Sequence, residues 1–275
     1  MDSGFTEMDW HWARAALDWQ LEMGADETMG ELPVDRFAAE AEAQAARAAA
    51  RATPAAAAGG RAPMPGPVPL DTGPDPVEVA QQAAAQATTL DALREAMAAF
   101  EHCELKRGAR NLVFCDGTAD ARVMIVGEAP GRDEDRQGKP FVGRAGQLLD
   151  RMLAAIGMAR HADDPARAVY ITNVLPWRPP QNRDPTPEEI AMLLPFVQRH
   201  VELVDPELVV LMGNTSCQAG LGRRGITRLR GIWTQAYGRP ALPMFHPAGL
   251  LRNPHNKRHA WADLLELQAR LEGEA

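Results

Sequence analysis

At 275 residues, 45% of them apolar, the chain is long enough for one domain of ordinary size plus an appendage. No apolar run approaches the length of a bilayer span, no basic segment leads into an apolar leader, and three scattered cysteines do not make a disulfide framework; a cytoplasmic protein is expected. The net charge of -8 is unevenly spread: residues 1–85 hold 14 acidic and 5 basic residues, whereas 86–275 hold 23 and 24.

The acidic segment 1–43 begins with a stretch, 5–23, whose Trp10, Trp12, Leu17, Trp19 and Leu21 predict an amphipathic helix. Such a helix either packs on its own domain or serves a protein partner. Residues 44–86 are dominated by Ala, Pro and Gly, too poor in large apolar groups to offset chain entropy, and predict a disordered linker. From 87 to 275 strands and helices alternate. Leu90–Cys103 reads as a helix, Val123–Val126 as a buried strand, and Gly143–Ile156 as a helix with Leu148, Leu149, Met152 and Leu153 on its apolar face. Val169–Thr172 is a second strand. Thr186–Leu203 is a long helix announced by an N-cap Thr186, Pro187 at its first position and the capping-box Glu189. Leu208–Met212 is a third strand, followed by a helix from about Thr215; Ala241–Phe245 is a fourth, and His255–Leu271 closes the chain. This order predicts an α/β fold with a central four-stranded, mostly parallel sheet covered on both faces.

Three segments with chemical potential follow the first, second and fourth strands, and therefore meet at one sheet edge, where open α/β folds bind ligands. After the first comes Gly127-Glu128-Ala129-Pro130-Gly131, then Glu134, Asp135 and Gly138-Lys-Pro-Phe-Val-Gly143. Glycines permit close backbone approach to a flat ligand, Glu128, Glu134 and Asp135 can orient a water, and Phe141 can stack on a base. Taken alone, Phe141 is as well explained as a core residue. After the second strand comes Asn173, whose carboxamide pairs a donor with an acceptor and can distinguish uracil from cytosine; an Asn that merely caps a turn is the plainer alternative. After the fourth comes His246-Pro247, where a ring donor can stabilise a developing oxyanion.

Just beyond lie Leu250, Leu251 and Arg252, placed to fill the gap left by an extruded base. No Asp or Glu occurs between Glu207 and Asp263, while that window holds Arg223, Arg224, Arg228, Arg230, Arg239, Arg252, Lys257 and Arg258. A one-signed stretch of this length favours a phosphate-facing surface over a merely solvated one. The nucleophile elbow, phosphate loop and His-Glu-x-x-His signatures are absent.

Together these motifs resemble the uracil-DNA glycosylase superfamily, and most closely its family 4, from about Phe100 to Leu271. The matching segments are Gly-Glu-Ala-Pro-Gly, Gly-Lys-Pro-Phe-Val-Gly-Arg-Ala-Gly-Gln-Leu-Leu, Ile-Thr-Asn, Arg-Pro-Pro-Gln-Asn-Arg and Phe-His-Pro. The resemblance implies a three-layer αβα fold that extrudes uracil from single- or double-stranded DNA and hydrolyses its glycosidic bond, leaving an abasic site. It implies catalytic roles for Glu128, Asn173 and His246, and a base pocket of Gly127, Ala129, Pro130, Gly131, Phe141 and Asn173. Lys139, Arg144, Arg183, Arg228, Arg230, Leu250, Leu251, Arg252 and Lys257 form the expected DNA-facing set. Ala129 stands where prototypical family 1 enzymes carry an Asp base, which favours a dissociative path with a weakly activated water.

Family 4 enzymes typically hold a [4Fe–4S] cluster on four Cys; the corresponding positions here are Phe100, Cys103, Trp177 and Leu193. No cluster and no other metal is therefore expected, the three replacements forming an apolar plug. The expectation is a monomeric, monofunctional glycosylase of a bacterial cytoplasm. Its rivals are a non-catalytic protein that binds damaged DNA, and a glycosylase for another deaminated base such as hypoxanthine.

Overall fold

The computed structural model describes residues 74–273. The expected Trp-containing helix and the linker up to residue 73 lie outside the described residues. The linker's expected end at 86 is corrected. Pro76–Gln86 is a helix (α1), capped by Asp75, whose carboxylate accepts the Val77 N–H at 2.9 Å. Its buried face is built from Ala80 and Ala84, so close packing of small residues holds a segment whose composition looks unstructured.

Leu90–Ala99 (α2), the single turn Leu105–Gly108 (α3) and Arg132–Gln137 (α4) follow. The sheet comprises Asp116–Gly117 (β1), Val123–Gly127 (β2), Val169–Asn173 (β3), Leu208–Met212 (β4), Thr234–Ala236 (β5) and Arg239–Met244 (β6), in the order β1-β3-β2-β4-β6-β5. The four expected strands are the parallel centre, and β1 and β5 pair antiparallel at the two edges, extending the sheet to six.

Every residue of β2, β3 and β4 is buried, as strands covered on both faces require. Alternate residues feed two separate cores. Val123, Ile125, Val210 and Met212 face the layer of Arg144–Ala154 (α5), Pro247–Arg252 (α9) and Lys257–Glu272 (α10). Met124, Val126, Val209 and Leu211 face α1, α2, Pro187–Val204 (α6) and Asn214–Leu221 (α7). This is the three-layer arrangement expected of the sequence. The chain runs from β2 to β3 on one side and then to β4 on the other, which opens a crevice at the carboxyl ends of β2 and β4.

Candidate active site

A cavity of about 550 Å³ occupies that crevice, and Glu128, Ala129, Pro130, Gly131, Phe141, Asn173 and His246 all line it. Gly127 lies underneath as floor. A Cβ there would overlap the Asn173 carboxamide oxygen and come within 2.5 Å of the Phe141 ring, so only glycine lets both side chains close over β2.

Asn173 ends β3 at 5% exposure, yet among the described residues no hydrogen bond engages its side-chain amide. Buried amides are normally satisfied; one that lines a cavity instead offers its donor and acceptor to a ligand.

Phe141 has φ 53°, a region an aromatic residue occupies only when its surroundings over-determine it. Two clamps do so. The Glu134 carboxylate accepts the N–H groups of Gly131, Val142 and Gly143 at 3.1, 2.9 and 2.8 Å. Arg160, only 10% exposed, donates to the carbonyls of Pro140 and Phe141 and is itself held by Asp116 and Asp150. The ring thus fixed stacks on His246, centroids 5.2 Å apart and planes at 25°.

His246 follows β6 and caps α9: its Nδ1 accepts the Ala248 N–H at 3.1 Å. With Nδ1 an acceptor, the proton of the neutral ring resides on Nε2. Burial pushes its pKa down, opposed by the Glu128 carboxylate, so the neutral form is favoured.

Glu128 is anchored where β2 meets β4. Its Oε1 accepts the Thr215 N–H at 2.9 Å in the first turn of α7, and its second oxygen has no partner among the described residues. A Cβ at Gly213, φ 98°, would overlap this carboxylate, so the turn after β4 also depends on glycine.

Several expected site residues play other parts. Glu134 lines the cavity but uses both oxygens to clamp the loop, and Asp135, whose Oδ1 accepts the N–H groups of Arg110 and Asn111 at 2.8 and 3.2 Å, is buried off the cavity wall; neither is placed to handle a water. Arg230 leaves the DNA-facing set, because it pairs with fully buried Asp263 and donates to the His259 carbonyl at 3.0 Å. Leu250 is 1% exposed and belongs to the core, so it is no wedge; Leu251, half-buried, rests against the same core. Arg183 and Arg252 line the cavity, with Arg183 held by Glu189. Lys139, Arg144, Arg228 and Lys257 are exposed but lie off its wall.

Sequence reasoning missed Arg160 and Asn214, and it counted Arg224 only in the basic stretch, not on the cavity wall. The turn Gly213-Asn214 follows a strand, as the other site segments do, and was open to the same argument. Nothing local marks Arg160.

Phe100, Cys103, Trp177 and Leu193 are all buried in one apolar cluster. Three of the four carry no atom that can ligate iron, and burial pushes the Cys103 thiol up, away from thiolate. These residues do not fit an iron–sulfur cluster, and among the described residues no three His, Cys, Asp or Glu are grouped to hold a metal. All three cysteines are free, and no described helix is long and apolar enough to cross a membrane.

A family profile described as the uracil DNA glycosylase superfamily matches residues 114–265. The type-4 uracil-DNA glycosylase of Thermotoga maritima is 41% identical over 160 residues, 56% of this chain and 79% of that protein. The Archaeoglobus fulgidus protein of the same name is 38% identical over 186 residues, covering 64% and 90%. That of Sulfurisphaera tokodaii is 35% identical over 180, covering 62% and 79%. The chain belongs to the uracil DNA glycosylase superfamily and stands with its type-4 members.

Proposed function

We propose that this chain hydrolyses the N-glycosidic bond of uracil in DNA, leaving an abasic site, with no metal and no Schiff base. The observation that carries this reading is the unpartnered Asn173 amide beside the Phe141–His246 stack within one cavity. An extruded uracil stacks on Phe141, and Asn173 accepts from its N3–H while donating to O4; cytosine presents the reverse pattern and leaves both groups unpaired. As the C1′–N1 bond breaks, the bonding pair departs with the base, and the charge at O2 is met by the Nε2–H of neutral His246. Glu128 stabilises the positive sugar and orients the water whose oxygen bonds to C1′. That water's proton passes to solvent or to the departing base. Ala129 supplies no base, so bond cleavage runs ahead of attack. The chain acts as a monomer in the cytoplasm.

The test uses labelled oligonucleotides containing uracil, hypoxanthine or xanthine, with alkaline cleavage of abasic sites. Wild type should release uracil, while Asn173→Ala and His246→Ala should lose about a hundredfold or more in rate. Absence of cleavage on every substrate would sink the enzyme reading, and purine release exceeding uracil release would reassign the substrate. Purified protein should contain no iron, and chelators should leave its activity unchanged; about four irons per chain would overturn the cluster-free reading.

A further inference from the structure

We propose that a second cleft beside the base cavity holds the DNA strand flanking the extruded nucleotide, with Arg224 as the wall common to both; this rests on the uracil-pocket reading above. The cleft measures about 560 Å³, as large as the base cavity. It is framed by the end of α7, the short helix Ile226–Leu229 (α8) and edge strand β5. Arg223, Arg224 and Arg228 line it, and no acidic side chain does. Arg223 and Arg228 are exposed and have no ion-pair partner among the described residues. Arg224 alone meets an acid, Asp184 at 3.0 Å, and both members are open to water. Such a pair is weak and readily exchanged for a phosphate.

An apolar surface adjoins these cations. Ile232, at 61%, is the most exposed large apolar side chain among the described residues, and Trp233 follows it in the same wall. A file of cations beside apolar and aromatic surface suits a single strand, which presents phosphates on one side and bases on the other. Placement favours continuity with the base cavity. The Gly231 N–H donates to the Pro243 carbonyl at 3.0 Å, setting Ile232 beside the end of β6, just before Phe245 and His246 enter the base cavity. The dividing wall is fixed, because the Asn214 carboxamide oxygen accepts the N–H groups of Gly225 and Ile226 at 3.0 and 2.9 Å.

The experiment compares wild type with the double variant Arg223→Ala/Arg228→Ala on uracil oligonucleotides trimmed from the 5′ or the 3′ side. On the untrimmed strand the variant should lose about tenfold in kcat/KM, and its salt dependence of binding should be shallower by about 1.4 in log–log slope, as two lost phosphate contacts predict. Trimming one particular side should cost the wild type more than the variant, so that the two defects do not add. Additive losses on both sides, an undiminished salt slope, or a variant indistinguishable from wild type would each overturn the proposal. Release of uracil by neither protein from any strand would instead overturn the uracil-pocket reading. Unchanged melting temperature checks that the variant, altered at two exposed positions, is folded.

Discussion

The base cavity and the apolar cluster around Phe100, Cys103, Trp177 and Leu193 draw on neighbouring stretches of chain but obey opposite rules. Asn173 and Trp177 are four residues apart. One ends a strand with a buried amide left open; the other is 2% exposed among apolar neighbours. In the cluster every large group is packed, Phe100 meeting Phe196 edge-on at 5.4 Å. In the cavity an aromatic residue sits at positive φ, a carboxylate keeps one oxygen free and an amide lacks partners. Strained and open groups held in place by clamps are what the uracil-pocket reading predicts of a working site, and close packing is what it predicts of a structural one.

That contrast can be broken from either side. The largest effect should come from Leu193→Ala, which opens a cavity in the cluster and should cost about 2–5 kcal/mol in urea unfolding, with single-turnover uracil release by the folded protein within a few-fold of wild type. A loss of catalysis matching the loss of stability would tie the cluster to the chemistry. His246→Ala should invert the pattern, slowing release about 10²–10³-fold at saturating enzyme, a larger effect than its cost in stability. Arg160→Lys sharpens the comparison, because lysine keeps the charge but loses the fork that spans two carbonyls. It should lower kcat/KM roughly tenfold, the scale of one charge-assisted hydrogen bond. A change of less than twofold would show that Glu134 alone suffices to hold Phe141.

The smallest effect concerns acid. Burial lowers His200, hydrogen-bonded to the Tyr170 hydroxyl at 2.7 Å, to about 3, and burial also lowers His246. Below the ordinary histidine value of about 6.5 the unfolded chain binds protons that the folded one refuses, so stability falls with falling pH down to the folded value. Between pH 7.5 and 5.5 the His200 share is about 1 kcal/mol, readable as a urea midpoint that drops less in His200→Gln. Stability that rises on acidification through this window would contradict neutral burial.

The sheet's centre was legible because each parallel strand is a continuous apolar run; β1 and β5, two and three residues long, carry no periodic signal. Helix α1 hid because its buried face is alanine, which resembles linker. At the site, Glu128, Asn173, Phe141 and His246 were readable since each stands beside a strand end or a glycine turn. Glu134, Asp135 and Arg230 were misread for a shared reason. Their partners are backbone amides or an acid 33 residues away, and nothing in local sequence reveals whether a charged group is already satisfied. Leu250 and Leu251 show the limit of a pattern: adjacent helical positions face different directions, and only packing decides which is inside.

The two glycines beneath the cavity have a genetic consequence. Every glycine codon lies one base change from an alanine codon, and alanine at 127 or 213 would drive its methyl into Asn173 or Glu128. A single G-to-C transversion at either codon would therefore suffice to displace a group that the uracil-pocket reading needs. Cells that acquire such a change would be expected to show an elevated rate of C-to-T transitions while still producing the protein.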